Sequence, residues 1–252
     1  MTPARSRWSA AWTAAGLALF LLAWEGGVWS GLLPRNQVPP PSAVPIALLS
    51  EVRSGIWLRS VLDSLGHYLA GVAAGSLLGV LAGLAVGLLP RLDAAQSGVA
   101  RVLRPIPPLA WIPFALIWFG AGEGAAAFII GIGVFWVNYF ATIAAVQARD
   151  ARLDELAAAF GQAGLARLAK VILPGAAAGI LAGLRSGLGQ GWMAVVAAEL
   201  FGIPGIGQRM SDAAGLLATD VLVVYMLTIA LLYALSDVLL QRVSRRVLAW
   251  VP

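Results

Sequence analysis

ELAAAFGQAGLARLAKVILP, residues Glu155–Pro174, stands between two long apolar runs and carries the only lysine of the chain, Lys170. Leu153, Leu156, Ala157 and Phe160 occupy i, i+3, i+4 and i+7, which predicts a short helix with one apolar face, flanked by Arg152 and Glu155. Gly161 is expected to interrupt that helix, and Leu165, Leu168, Val171 and Ile172 begin a second amphipathic piece that ends at Pro174. A helix of two or three turns buries too little surface to stand alone, so its apolar face must press on its own bundle or on another protein.

Around this segment the 252 residues are 60% hydrophobic and 12% charged, well beyond the roughly 45–50% apolar usage of soluble domains. The chain is read as an all-α membrane protein forming a single bundle domain. A hydrocarbon core of about 30 Å takes roughly 20 apolar residues of helix. Hydropathy places six spans at about 10–32, 61–89, 106–121, 124–146, 175–200 and 219–241, with the amphipathic segment filling 150–174.

The basic residues set the topology. Arg5, Arg7, Arg91, Arg101, Arg104, Arg149, Arg152, Arg167, Lys170, Arg242, Arg245 and Arg246 fall on one side of those spans. Only Arg35, Arg53, Arg59 and Arg209 fall on the other, and Arg185 lies within the fifth span. The positive-inside bias therefore puts both termini and the 150–174 segment in the cytoplasm. The same dispersion argues against nucleic acid as a partner, despite the net charge of +5. MTPARSRW followed by an apolar run resembles a signal peptide, but the run continues through Trp24, Glu25 and Trp29 without a small-residue cleavage site, so a retained first span is expected.

Outside, NQVPPPSAVPIALLSEVRSGIW starts rigid because of its prolines, then sets Ala47, Leu48, Val52 and Ile56 on an interfacial helix. Inside, RPIPPLAWIP has four prolines within nine residues, which predicts a broken, re-entrant approach to a short third span. Two glycine ladders stand out: Gly71, Gly75, Gly79, Gly83 and Gly87 in the second span, and Gly175, Gly179, Gly183, Gly187 and Gly191 in the fifth. Small residues at this spacing form an oblique groove that lets two backbones approach closely, where packing and weak Cα–H contacts hold helices together in lipid. Whether the contact slides or is static is open, and the ladders are expected to pair with each other.

Several classes of chemistry are excluded. There is no cysteine and one histidine, His67, which removes disulfides, thiolate sites and multi-histidine metal centres. No G-x-x-x-x-G-K-[ST] run exists, so the chain has no phosphate-cradling loop of its own. GAGEG and GIPGIG lack a strand-to-helix context and read as turns. An intramembrane enzyme finds no Ser-His-Asp set or paired carboxylates, and a non-catalytic role is expected. A self-contained secondary transporter remains the alternative, although the acids cluster at span ends rather than within them.

Glu155, Leu156 and Ala157, then Gly161, then Val171, Ile172, Leu173 and Pro174 resemble, with spacing intact, the cytoplasmic signature of the inner-membrane permeases of ATP-binding cassette importers. That signature is Glu-Ala-Ala, three residues, Gly, nine residues, Ile, any residue, Leu-Pro; Leu156 and Val171 are its departures here. RPIPPLAWIPFALIWFGAGE (104–123), Trp24-Glu25, PPPSAV, GIGQRM (205–210) and TDVLVVYMLTIALLYALSD (219–237) are similar to the nitrate, sulfonate, taurine and bicarbonate group of these permeases. His67, Trp136 and Ala145 stand where that group often has arginine, proline and glycine.

The resemblance implies a type I importer bundle of six spans. Its cytoplasmic segment, through Glu155, Leu156, Ala157, Phe160, Gly161, Leu173 and Pro174, docks in a groove of a separate ATPase subunit. ATP and Mg are then used by that subunit, and no cofactor is bound directly by this chain. The further partners implied are a periplasmic or lipid-anchored solute-binding protein, a second permease copy as a homodimer, and membrane lipid. The fourth and fifth spans are expected to line the path, which makes Asn138, Gln190, Trp192 and Met193 candidates, with Arg185 either facing an anion or snorkelling to the surface. Glu25 and Glu199 are expected to anchor at the outer interface, with orienting a docked binding protein or pairing with Arg35 and Arg209 as alternatives. His67 is expected to pair with Asp63 one turn earlier, and Asp237 with Arg242 forms an inner anchor.

Overall fold

A computed structural model describes the backbone of residues 3–248, with side chains from Trp12 onward except Ala151, Leu153, Asp154, Ala158 and Val247. Arg5, Arg7 and Leu153 thus lie outside the described side chains. Every regular element among the described residues is helical. In chain order the helices are α1 (Pro3–Trp29), α2 (Val44–Arg53), α3 (Ile56–Leu88), α4 (Pro90–Leu103), α5 (Ile112–Phe119) and α6 (Glu123–Gln147). They continue with α7 (Ala151–Ala159), α8 (Gly164–Arg167), α9 (Leu173–Glu199), α10 (Ile206–Gly215) and α11 (Thr219–Val247).

Four stretches are long and apolar enough to cross a membrane: Ile56–Leu88, Glu123–Gln147, Gly164–Glu199 and Thr219–Arg246. They correspond to four of the six expected spans. The stretch at 106–121 is broken, as its prolines predict. α5 has only eight residues, rising about 12 Å, and with the 3₁₀ turn Pro108–Trp111 it is bent by 89° from α4. Proline is the cause: Pro108 opens the 3₁₀ turn and Pro113 sits in the first turn of α5, where a missing N–H is harmless, so the chain restarts twice within a few residues. Hydropathy alone also missed α4, whose polar Asp93, Gln96 and Arg101 interrupt any apolar run.

By contacts the chain groups into two compact units, residues 1–60 with 209–228, and 61–208 with 229–252. In the first, the buried Glu51 is gripped by Arg209 through both carboxylate oxygens, at 2.6 and 3.1 Å, and accepts a third bond from the Tyr225 hydroxyl at 2.7 Å. The Arg209 hydrogen bond holds the Glu51 carboxyl below the usual carboxylate range. Glu25 anchors the end of α1 through local hydrogen bonds. It accepts from the Trp29 indole at 2.6 Å and from the Ser42 hydroxyl and backbone N–H at 2.8 and 3.1 Å, while Arg35 lies over the Trp29 ring. Ile56 opens α3 instead of extending the interfacial helix.

The second unit is organised around α6. Half of its most apolar window is buried within the chain, against 28%, 11% and 17% for the other three crossing stretches. Apolar residues face inward all round it, as expected of a central helix. Ala125, Ala126 and Ile129 pack on α5 and on Ala198 of α9. Ile130 and Val134 meet Tyr68 of α3 with Trp192 and Val195 of α9, and Tyr139 and Ile143 meet Val86 and Ala100.

This arrangement corrects the expected pairing of the two ladders, because both lie on α6. A Cβ on Gly71 would stand 2.5 Å from Ile130, one on Gly83 2.7 Å from Thr142 and the Tyr139 carbonyl, and one on Gly87 3.0 Å from Val146. On another side of α6, a Cβ on Gly179 or Gly183 would stand 2.5 Å from Ala145 or Ala141, and one on Gly187 2.9 Å from Asn138. Only Gly191 reaches α3, against Val72 and Tyr68, and Gly175 is nearly free, with Arg149 at 3.9 Å. The physical reason lies in α6 itself: Ala141 and Ala145 offer small surfaces to one groove, and Gly131 offers its backbone to the other. One helix can therefore be approached closely from two directions.

Candidate functional site

α7 ends in a C-cap that requires glycine. Gly161 has φ +69°, and Gln162 N–H bonds back to the Ala157 carbonyl at 2.9 Å while Phe160 N–H bonds to Leu156 at 3.1 Å. The six-to-one bond across a left-handed residue is a Schellman cap. Nothing lies within 4 Å of a Cβ at Gly161, so its backbone angle and not crowding selects the residue. α8 follows, and a π-helical turn over Leu168–Ile172 carries the chain into α9 without a break. Pro174 therefore does not end a helix as expected. It lacks the N–H that a regular α-helix would donate to Lys170, and the widened turn directly before it absorbs that loss.

The segment is apolar on both faces. Ala157 and Ile172 are buried, whereas Leu156, Phe160 and Leu165 are 55%, 74% and 81% exposed. Glu155 is exposed beside them, and Leu173 and Pro174 are half-buried at the start of α9. Three large apolar side chains thus cluster uncovered around one tight turn, a pattern that marks an interaction surface.

The five residues expected along a path are not brought together. Asn138 is fully buried: it donates to Ser76 of α3 at 3.0 Å and fills the space left by Gly187 of α9, so it ties three helices together inside the chain. Trp192 is buried too, stacked on Tyr68 with centroids 4.2 Å apart and bonded to Ser236 at 3.3 Å. Met193 points away from the core, 73% exposed. Arg185 forms a two-pronged pair with Asp237 at 2.6 and 2.9 Å, and Gln241 donates to the same carboxylate, so the expected anchor of Asp237 with Arg242 is replaced. Gln190 lines a cavity, of about 570 Å³, together with Arg104, Pro108, Ile132, Trp136 and Phe140.

A buried polar cluster went unread in the sequence. Glu199 has no exposed surface and accepts from the Ser64 hydroxyl and the Gly207 N–H, each at 2.8 Å. His67 Nδ1 lies 2.9 Å from its other oxygen, so the partner of His67 is Glu199 and not Asp63. Ile206 N–H in turn donates to Ser64 at 2.8 Å. The available signal was GIPGIG. Gly205 has φ +151° and a Cβ there would collide with the Glu199 carboxylate, so these glycines let the loop close over a charge. Among the described residues no group of three or more His, Asp or Glu side chains is arranged to hold a metal.

Comparison with known proteins matches the features above. The chain is 32% identical to the taurine transport system permease protein TauC of Escherichia coli over 241 residues, covering 93% of this chain and 87% of that one. It is 33% identical to the putative aliphatic sulfonates transport permease protein SsuC of the same organism over 231 residues, covering 91% and 88%. In fold it is similar to a chain of the inward-facing MetNI methionine ABC transporter, with a TM-score of 0.65 at 22% identity, covering 75% of this chain and 95% of that one. Residues 75–249 match the profile of the binding-protein-dependent transport system inner membrane component, and with helices built to cross a membrane around a glycine-lined central one, the chain belongs to that family of importer permeases.

Proposed function

We propose that this chain is the membrane subunit of an ATP-driven importer, crossing the inner membrane six times with both termini in the cytoplasm. Two copies enclose a path for a small anion of the sulfonate, taurine or nitrate kind. An external binding protein delivers the solute, and a separate ATPase subunit, using ATP and Mg, grips the 150–174 segment. The observation that carries this reading is the Schellman turn at Gly161, which holds Leu156, Phe160 and Leu165 uncovered on a segment whose basic flanks favour a cytoplasmic position by the positive-inside bias. The names of relatives support the solute class, since taurine and aliphatic sulfonates are small anions. A secondary transporter is less well supported: Asp237, Glu199 and Glu51 all have partners, which leaves them poorly suited to couple transport to an ion gradient.

The test uses vesicles containing this chain, its ATPase and its solute-loaded receptor. Gly161→Asp and Glu155→Lys should leave the protein in the membrane and abolish stimulation of ATP hydrolysis by the receptor. Normal stimulation in both variants, or solute uptake without the ATPase, refutes the proposal.

A further inference from the structure

Three arginines of this chain are held in two different ways. Arg185 and Arg209 are each neutralised by a two-pronged carboxylate. Arg104, directly after α4, is instead held by a ring face: its guanidinium carbon lies 4.4 Å from the Phe140 centroid, and among the described residues its side chain makes no ion pair or hydrogen bond. An arginine stacked on an aromatic face keeps its charge, while its N–H donors, which lie in the guanidinium plane, stay free for a planar pair of oxygens.

Two cavities meet at this side chain. The larger, about 570 Å³, has apolar walls from Pro108, Ile132, Trp136 and Phe140, one amide from Gln190, and no acidic residue in its lining. The second, about 410 Å³, also borders on Arg104 and Phe140 and adds Arg101, Gln147, Ser97 and a single acid, Asp93. Each lining carries a surplus of positive charge, and in a low-dielectric site such a surplus raises the local concentration of anions. The larger volume lies in the range that accommodates organic ligands, and its apolar walls would be idle around a bare inorganic ion.

We infer that Arg104, stacked on Phe140 between these two cavities, is the oxyanion-binding group of a solute subsite, and that the cavity bounded by Gln190 and Ile132 takes the apolar body of an organic sulfonate. Assigning this subsite to the transported solute rests on the function proposed above; the charge preference of the cavity does not. Phe140 is a positioning residue that keeps the guanidinium plane open. Arg101, across the second cavity, provides the next basic group along the way.

The absence of cysteine permits a direct test in membrane vesicles that hold the chain with its partner subunits. Gln190→Cys is labelled with anionic 2-sulfonatoethyl methanethiosulfonate and with its cationic trimethylammonium counterpart, each rate taken relative to a small thiol in solution. The expected anionic-to-cationic ratio is about tenfold above that of the free thiol. It should collapse toward one in Arg104→Gln and persist in Arg104→Lys, which also serves if the glutamine variant fails to fold; Ile132→Cys provides a second reporter position. Butanesulfonate should protect Gln190→Cys from labelling, whereas nitrate and butylammonium at the same concentration should not. A ratio near one in the parent, a ratio unchanged by Arg104→Gln, no labelling by either reagent at both positions, or equal protection by nitrate overturns the inference. ATP-driven uptake that survives such a result leaves the proposed function standing. A preserved charge ratio with uptake that needs no ATPase has the opposite meaning, since the anion site then stands and the importer reading falls.

Discussion

Alanine substitution along α3 should sort its glycines by what faces them. At Gly75 a new Cβ would collide with the Gly131 carbonyl and stand 3.0 Å from both the Gly131 Cα and the Val134 Cβ. Optimal carbon contacts lie at about 3.5–4.0 Å, so α3 and α6 must separate locally by about 0.5–1 Å. Two of those three obstacles are backbone, which has no rotamer to yield. Overpacking of this kind costs about 1–3 kcal/mol, and Gly75→Ala belongs toward the upper end. Gly66, on the same helix, has nothing within 4 Å, so Gly66→Ala meets no obstacle and gains up to about 1 kcal/mol of helix propensity. Gly131, the other half of the Gly75 contact, would place its Cβ 3.5 Å from the Gly71 carbonyl, an ordinary contact, so Gly131→Ala should be tolerated. Equilibrium unfolding in mixed micelles with rising dodecyl sulfate, followed by tryptophan fluorescence, measures all three. Equal stability of the Gly66 and Gly75 variants, or a Gly131 variant as unstable as Gly75→Ala, would refute the reasoning.

Three further outcomes follow from other sites. Glu199→Ala strands Ser64, His67 and the Gly207 N–H without their acceptor and should cost about 3 kcal/mol or more, whereas Glu199→Gln keeps one acceptor oxygen and should cost clearly less in the same titration. Glu51, whose folded pKa lies below its unfolded value, contributes stability that is present above about pH 4.3 and disappears as pH falls through the folded value. Stability of Glu51→Gln should therefore vary less with pH than the parent across that interval, and parallel pH profiles would count against it. Arg185→Asp and Asp237→Arg should each reduce the heat tolerance of the protein, and the double exchange should recover part of the loss. An additive double variant would show that the pair is incidental.

Hydropathy identified four long helices because lipid imposes a length and a composition that show directly in a sequence. It failed where the chain bends or turns amphipathic. α4 alternates Leu92, Ala100 and Leu103 with Asp93, Gln96 and Arg101, so no apolar window forms, and the prolines between 105 and 113 shorten the expected third span into a corner. The ladders were readable as grooves, but spacing says what a helix can admit and not which neighbour enters. Ala141 carries no signal of its own in the sequence, and Ala145 stands out only as a departure from glycine, yet Gly183 and Gly179 lie against them. His67 was matched with the acid nearest in sequence, Asp63, whereas burial selected Glu199, 132 residues away. In the signature segment the reverse held: a glycine expected to interrupt a helix does so, and its positive φ explains why that residue type stands there.

The pair formed by α6 and α9 has a mechanical meaning. The strands of chain entering and leaving the 150–174 segment are these two helices, and Ala145–Gly179 and Ala141–Gly183 suture them close to that end. Glycine against alanine at two successive turns leaves no room for a larger side chain there, so the two helices are joined most closely near that end. On another side α6 seats Ile130, Val134, Thr142 and Val146 in the glycine groove of α3, so the same helix is keyed to two neighbours at once.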